Sequence, residues 1–143
     1  RQRRSLVGCE VIAIGTGTWI LALSARALGA GRVRALDNDP QAIDVARHNL
    51  DVHGWDGIDL IVGSCAQAGA PAQVVVANII TDILLGMTQD LAALVAPGGT
   101  LITSGVAVER TQEAVDAFTA VGLIPHAHPG REWCLLVCHR PDV

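Results

Sequence analysis

Short apolar runs rich in β-branched residues alternate along this chain with longer segments of helical period, and that alternation leaves few folds open to it. The runs at 10–14, 32–36, 58–62, 73–77 and 100–104 predict five strands, and the segments 18–28, 40–53, 81–94 and 108–121 predict the helices between and after them. Such an order is that of a parallel sheet built from βα units. Pro40 suits a first helical turn, where its missing N–H is not needed. After Gly122 the character changes: two extended runs, 124–128 and 133–139, flank Pro129-Gly130-Arg131, a turn signal that predicts a terminal antiparallel hairpin. The fold class is therefore α/β, a doubly wound, mainly parallel seven-stranded sheet closed by a C-terminal antiparallel hairpin.

Composition narrows the class of protein. With 143 residues, 50% of them hydrophobic and only 17% charged, the chain fits one globular domain, 1–143, with no repeat, linker or disordered stretch. A formal charge of -4 gives no broad attraction to nucleic acid, and Arg1, Arg3 and Arg4 offer only a local patch. No apolar run approaches the roughly 18 residues that would cross a bilayer, and the Arg-rich start leads into a strand rather than a signal-peptide core. These features predict a soluble, cytoplasmic protein without a membrane partner. Cys9, Cys65, Cys134 and Cys138 are too scattered for a disulfide scaffold and read as free, mostly buried thiols. The chain begins with Arg1 rather than Met, which raises the expectation that it is a piece of a longer protein.

Three places carry chemistry. Val11 to Ile14 is a buried strand running into Gly15-Thr16-Gly17 and then a helix; glycine there lets a ligand lie against backbone, and the helix N-terminus offers unpaired N–H groups. Two such glycines also occur for packing alone. Asp37, twenty-two positions after Gly15 at the end of the second strand, can accept hydrogen bonds from vicinal ribose hydroxyls, which points to an adenosyl-type cofactor. Its competing role, with Asp39, is a polar turn that caps the following helix. A dinucleotide fingerprint would place a third glycine where Ile20 stands. Asn78 ends the fourth strand at the ligand-binding edge, where its amide oxygen could accept from a substrate amine and aim the nitrogen lone pair; it could equally cap the next helix.

The runs Ile14-Gly15-Thr16-Gly17-Thr18, Leu36-Asp37-Asn38-Asp39-Pro40, Ala77-Asn78-Ile79, Pro97-Gly98-Gly99, Ser104-Gly105 and Glu132-Trp133 resemble, in order, those of the ribosomal protein L11 methyltransferase family (PrmA-like). Seven strands ending in a hairpin also distinguish methyltransferases dependent on S-adenosyl-L-methionine (SAM) from dinucleotide-binding domains. The resemblance implies SAM as cofactor and methyl transfer to amino groups of a protein, a ribosomal protein being the implied substrate. It would put Gly15, Thr16 and Gly17 along the methionine part of SAM, Asp37 on the ribose, Asn38 and Ser64 near the adenine, and Asn78 facing the amine as the catalytic residue. It also implies a preceding substrate-recognition domain that this sequence does not contain. Ala13 stands where such enzymes usually carry Asp, and Trp19 where they carry a small glycine, so an indole in the cofactor pocket would remove the activity.

Other constellations are weaker. Cys134, Cys138, His126, His128 and His139 gather in the hairpin, but four residues of strand separate the two thiols by about 13 Å, too far for one tetrahedral ion, so no metal site is expected. A chain without lysine holds no Walker motif. Two other readings stay open: a degenerate, non-catalytic methyltransferase fold, and a methyltransferase of small molecules.

Overall fold

The computed structural model describes residues 6–15 and 18–142; Arg1, Arg3, Arg4, Thr16 and Gly17 lie outside them. The elements are β1 (Glu10–Gly15), α1 (Thr18–Ala27), β2 (Arg32–Asp37), α2 (Pro40–Val52), β3 (Ile58–Val62), β4 (Ala72–Asn78), α3 (Thr81–Leu85), α4 (Thr88–Leu94), β5 (Val95–Ala107), α5 (Thr111–Ala120), β6 (Ile124–Pro129) and β7 (Trp133–His139). They form one seven-stranded sheet in the order β3-β2-β1-β4-β5-β7-β6, parallel through β5. β7 runs antiparallel between β5 and β6, the hairpin expected from Pro129-Gly130.

Strand alternation sorts the core onto two faces. Ile12, Ile14 and Leu36 join Leu84, Leu91, Phe118 and the inward residues of β7, Cys134, Leu136 and Cys138, in the larger cluster beneath α3, α4 and α5. Val11, Val33 and Ala35 pack with Ala22, Ala25 and Ala30 against α1, where small side chains let the helix approach the sheet. Both faces being covered, Val11 to Ile14 are all buried, which is why that run is apolar without alternation. α2 begins with Asp39 as N-cap, its carboxylate accepting from the Gln41 N–H at 3.0 Å.

Two elements differ from the sequence expectation. The helix expected over 81–94 is two, α3 and α4, because the N–H groups of Gly86 and Met87 close onto the carbonyls of Ile83 and Leu84, three residues back, and Gly86 lacks the helix preference to prevent this. β5 is far longer than 100–104. It starts at Val95, passes through a register shift at Pro97-Gly98-Gly99, and continues to Ala107 because β7 supplies a partner as far as Ala107↔Trp133. Gly99 is needed at that shift, since a Cβ there would lie 2.7 Å from the Gln73 carbonyl oxygen.

Burial pushes the Cys138 thiol from its ordinary 9.0 up to about 12. The folded protein therefore keeps a proton there that the unfolded chain gives up, so stability is whole below pH 9 and falls as pH rises toward 12. Urea titrations of the native chain between pH 8 and 11 are expected to show this decline, and Cys138→Val to flatten it.

Candidate functional site

At β1 the chain changes direction of growth, its next neighbour being β2 on one side and β4 on the other. At such a switch the loops leaving adjacent strands diverge and open a crevice. A cavity of about 1020 Å³ lies there, walled by the ends of β1, β2 and β4, the segment after β3, the start of α3 and α4, and β5. Gly15, Asp37, Asn38, Ser64 and Asn78, spread over some sixty residues of sequence, line this one cavity, so the tertiary structure brings together every described candidate. Thr16 and Gly17 fall outside the described residues.

The floor is set by a close backbone approach. Gly15, at φ +106°, pairs across the sheet with Asn78, and a Cβ on Gly15 would lie 2.5 Å from the Asn78 carbonyl oxygen. On the other side a Cβ on Gly105 would lie 2.5 Å from the carbonyl oxygen of Ile79. The Asn78-Ile79 backbone is thus wedged between glycines of the two neighbouring strands. Buried Thr81 fastens the next turn: its hydroxyl donates to the Gly105 carbonyl at 3.1 Å and accepts from the Ala107 N–H at 2.9 Å. Asn78 does not cap α3, whose N-cap is Ile80; the alternative role considered for it is excluded. Arg110 braces the same helix from outside, donating to Asp82 and, at 3.0 Å through two nitrogens, to Glu113, which holds the Glu113 carboxyl below the ordinary range.

On the opposite wall Asp37 is half-buried and its Oδ1 accepts from the Asp39 N–H at 2.9 Å. The polar turn is real, yet one such bond uses a fraction of what a carboxylate can accept. The Gly63 N–H bonds the Asp37 carbonyl at 2.9 Å, which fixes the segment after β3 beside it. The Ser64 N–H is taken by the Gln67 side chain at 2.8 Å, one half of a capping box that closes the turn after β3. Burial first, then the nearby Asp90 charge, push the Cys65 thiol in the same wall above its ordinary range.

Neither departure in the first strand and helix fills the crevice. Ala13 is buried within the sheet, and Trp19, half-buried in α1, is absent from the described residues lining the cavity. The aromatic ring that does line it is Trp133 of β7, half exposed, with Ile80 and Ile83 forming an apolar rim beside Asn78. Sequence reasoning missed Ser104, Met87 and Asp90 as lining residues; for Ser104 the Ser-Gly step at a strand end carried a signal, for the other two nothing did. Asp37, Asp39 and Asp90 are the charged side chains on the described lining, and no Arg or His joins them. A surface of that sign repels phosphate groups and suits a cation.

A doubly wound sheet with an antiparallel seventh strand inserted before the sixth, and a ligand-sized cavity at its topological switch, define a Rossmann-like methyltransferase domain. Comparisons with known proteins agree. A ribosomal protein L11 methylase of Lactobacillus delbrueckii superposes with a TM-score of 0.86 at 27% identity, over 93% of this chain and 70% of that one. Ribosomal protein L11 methyltransferases of Geobacter metallireducens and Geobacillus kaustophilus are 43% and 38% identical over 89% and 94% of this chain. The profile of the family "Ribosomal protein L11 methyltransferase (PrmA)" matches residues 2–141, and the chain belongs to that family. It spans less than half the length of those curated relatives, 43% and 44%. Among the described residues no helix is long and apolar enough to cross a membrane.

Gly15→Ala tests the wedge. The substitution meets both an unsuitable φ and the Asn78 carbonyl, so a loss of more than about 1 kcal/mol in urea unfolding is expected, together with shifted amide resonances in 78–81.

Proposed function

We propose that this chain is the catalytic domain of a SAM-dependent N-methyltransferase that modifies amino groups of a protein, a ribosomal protein of the L11 type being the substrate its relatives' names suggest. The observation that carries the reading is the arrangement of one cavity with Asp37 on one wall and Asn78 on the other. The cavity fits SAM in three respects: Gly15 keeps the floor bare of a Cβ, Asp37 retains acceptor capacity for two ribose hydroxyls, and the described lining carries acidic side chains without a cationic one. A sulfonium with an ammonium group suits that lining, and a pyrophosphate does not.

In this reading the bound SAM supplies an activated methyl group, and the protein supplies positioning and exclusion of water. Asp37 orients the ribose, while Asn38 and Ser64 border the adenine. Asn78 accepts an N–H of the incoming neutral amine through Oδ1, which leaves the nitrogen lone pair to face the methyl carbon. The transfer would leave the amine nitrogen as an ammonium and SAM as its neutral thioether, and the extra proton would go to solvent; no side chain is assigned as base. Ile80, Ile83 and Trp133 give this end an apolar rim. A ribosomal protein as substrate would place the work in the cytoplasm.

Calorimetric titration of the chain with SAM, and separately with S-adenosylhomocysteine, tests the cofactor reading. Both are expected to bind, and Asp37→Ala to weaken both by roughly ten- to a hundredfold, as for loss of hydrogen bonds to a charged group. A folded chain that takes up neither would mean a methyltransferase fold kept without its chemistry.

A further inference from the structure

We propose that Ser104 is a positioning residue for methyl transfer: its hydroxyl, aimed into the cavity by a bulge in β5, holds the Asn78 amide with its oxygen toward the incoming amine. This rests on the reading that Asn78 accepts from the amine in a SAM site.

The bulge is visible in the register. β5 pairs with β4 as far as Ala77↔Thr103, and its pairing with β7 steps from Thr103↔Leu136 to Val106↔Cys134. Ser104 and Gly105 therefore oppose Leu135 alone, two residues against one. A bulge of this kind bends the strand and re-aims the side chain it carries. Neighbours in a strand face opposite sides, and at this step Thr103 is fully buried, whereas Ser104 is exposed and lines the cavity. Gly105 completes the bulge without a Cβ, which is what lets the Ile79 backbone come against it. One local irregularity in β5 thus lies beside both the backbone of the Asn78 segment and a partner of its side chain.

That partner acts on a choice the amide cannot make alone. Ser104 Oγ donates to Asn78 Oδ1 at 3.3 Å, long for a hydroxyl donor but within reach. The two ends of the amide are chemical opposites, one accepting and the other donating, and the last torsion of an Asn side chain is a broad two-fold rotor. With Oδ1 toward the amine, an N–H of the substrate is bound and its lone pair is free. With Nδ2 there instead, an amide N–H would bind that lone pair, the electrons that must reach the methyl carbon. Ser104 sits on the Oδ1 side, so an amine entering there meets two oxygens rather than an N–H.

The test uses two ligands that share the adenosyl and amino-acid parts. S-adenosylhomocysteine has no group where the methyl leaves, whereas sinefungin, the analogue with a C–NH2 in place of S–CH3, puts an amine there. Calorimetry on the full chain is expected to show that Ser104→Ala lowers the affinity for sinefungin relative to S-adenosylhomocysteine by about three- to tenfold, the loss of one hydrogen bond. Ser104→Thr, which keeps the hydroxyl, should restore the ratio, and the melting temperature should not move because the side chain is exposed. If Asn78→Ala abolishes the preference while Ser104→Ala keeps it, the assignment of Ser104 is overturned and that of Asn78 stands. Equal weakening of both ligands by Ser104→Ala would show a general structural role and overturn it as well. Failure of the unaltered chain to bind S-adenosylhomocysteine would remove the cofactor reading itself, and this proposal with it.

Discussion

The Asn78-Ile79 backbone lies so close to Gly15 on one side and Gly105 on the other that neither position has room for a side chain. Everything at the cavity edge depends on that contact. It seats the end of β4 between β1 and β5, carries the chain into Thr81, whose hydroxyl bridges back to β5, and leaves the Asn78 side chain as the group that faces the cavity. The energetic logic is packing against backbone, where little can relax: a flexible side chain could yield to an added methyl group, but a paired strand cannot without giving up ladder hydrogen bonds.

The electrostatics of the cavity follow from what the fold leaves out as much as from what it includes. Among the described residues Arg26, Arg32, Arg47 and Arg110 are each committed to a carboxylate elsewhere, and none lines the cavity. The lining keeps three acidic side chains, of which Asp39 is spent capping α2 and Asp37 is part of a turn that still leaves it able to accept. A lining of this sign repels phosphate groups and suits a ligand that carries positive charge. In the same wall, burial first and then the Asp90 charge hold the Cys65 thiol protonated above its ordinary range.

Much of this was legible in the sequence. Strand positions, their parallel order, the terminal hairpin and the polar residues at strand ends all follow from local patterns: β-branched runs, a Pro-Gly turn, a proline at a helix start. What local patterns could not show was where Gly86 would interrupt a helix and how far β5 would run, since both depend on partners distant in sequence. The break at Gly86 needs only a small preference for closing the turn early. The extension of β5 needs β7, which is added to its edge only when the fold is complete. Nor could sequence place Trp19 and Trp133, two indoles of equal chemical promise, one half-buried in α1 away from the described lining and the other on the cavity rim.

By itself the sequence determined the class of fold, the family and the residue types available for chemistry, because hydrophobic period and turn residues are written locally and in order. Only the tertiary structure decided that Asn78 is not a helix cap, that Asp37 is both a turn residue and an available acceptor, and that Ser104 meets the Asn78 amide. The reason is geometric. Those assignments are distances between groups twenty or more residues apart in sequence, and they exist only once β1, β4 and β5 lie side by side and the bulge in β5 has turned one hydroxyl toward its neighbour.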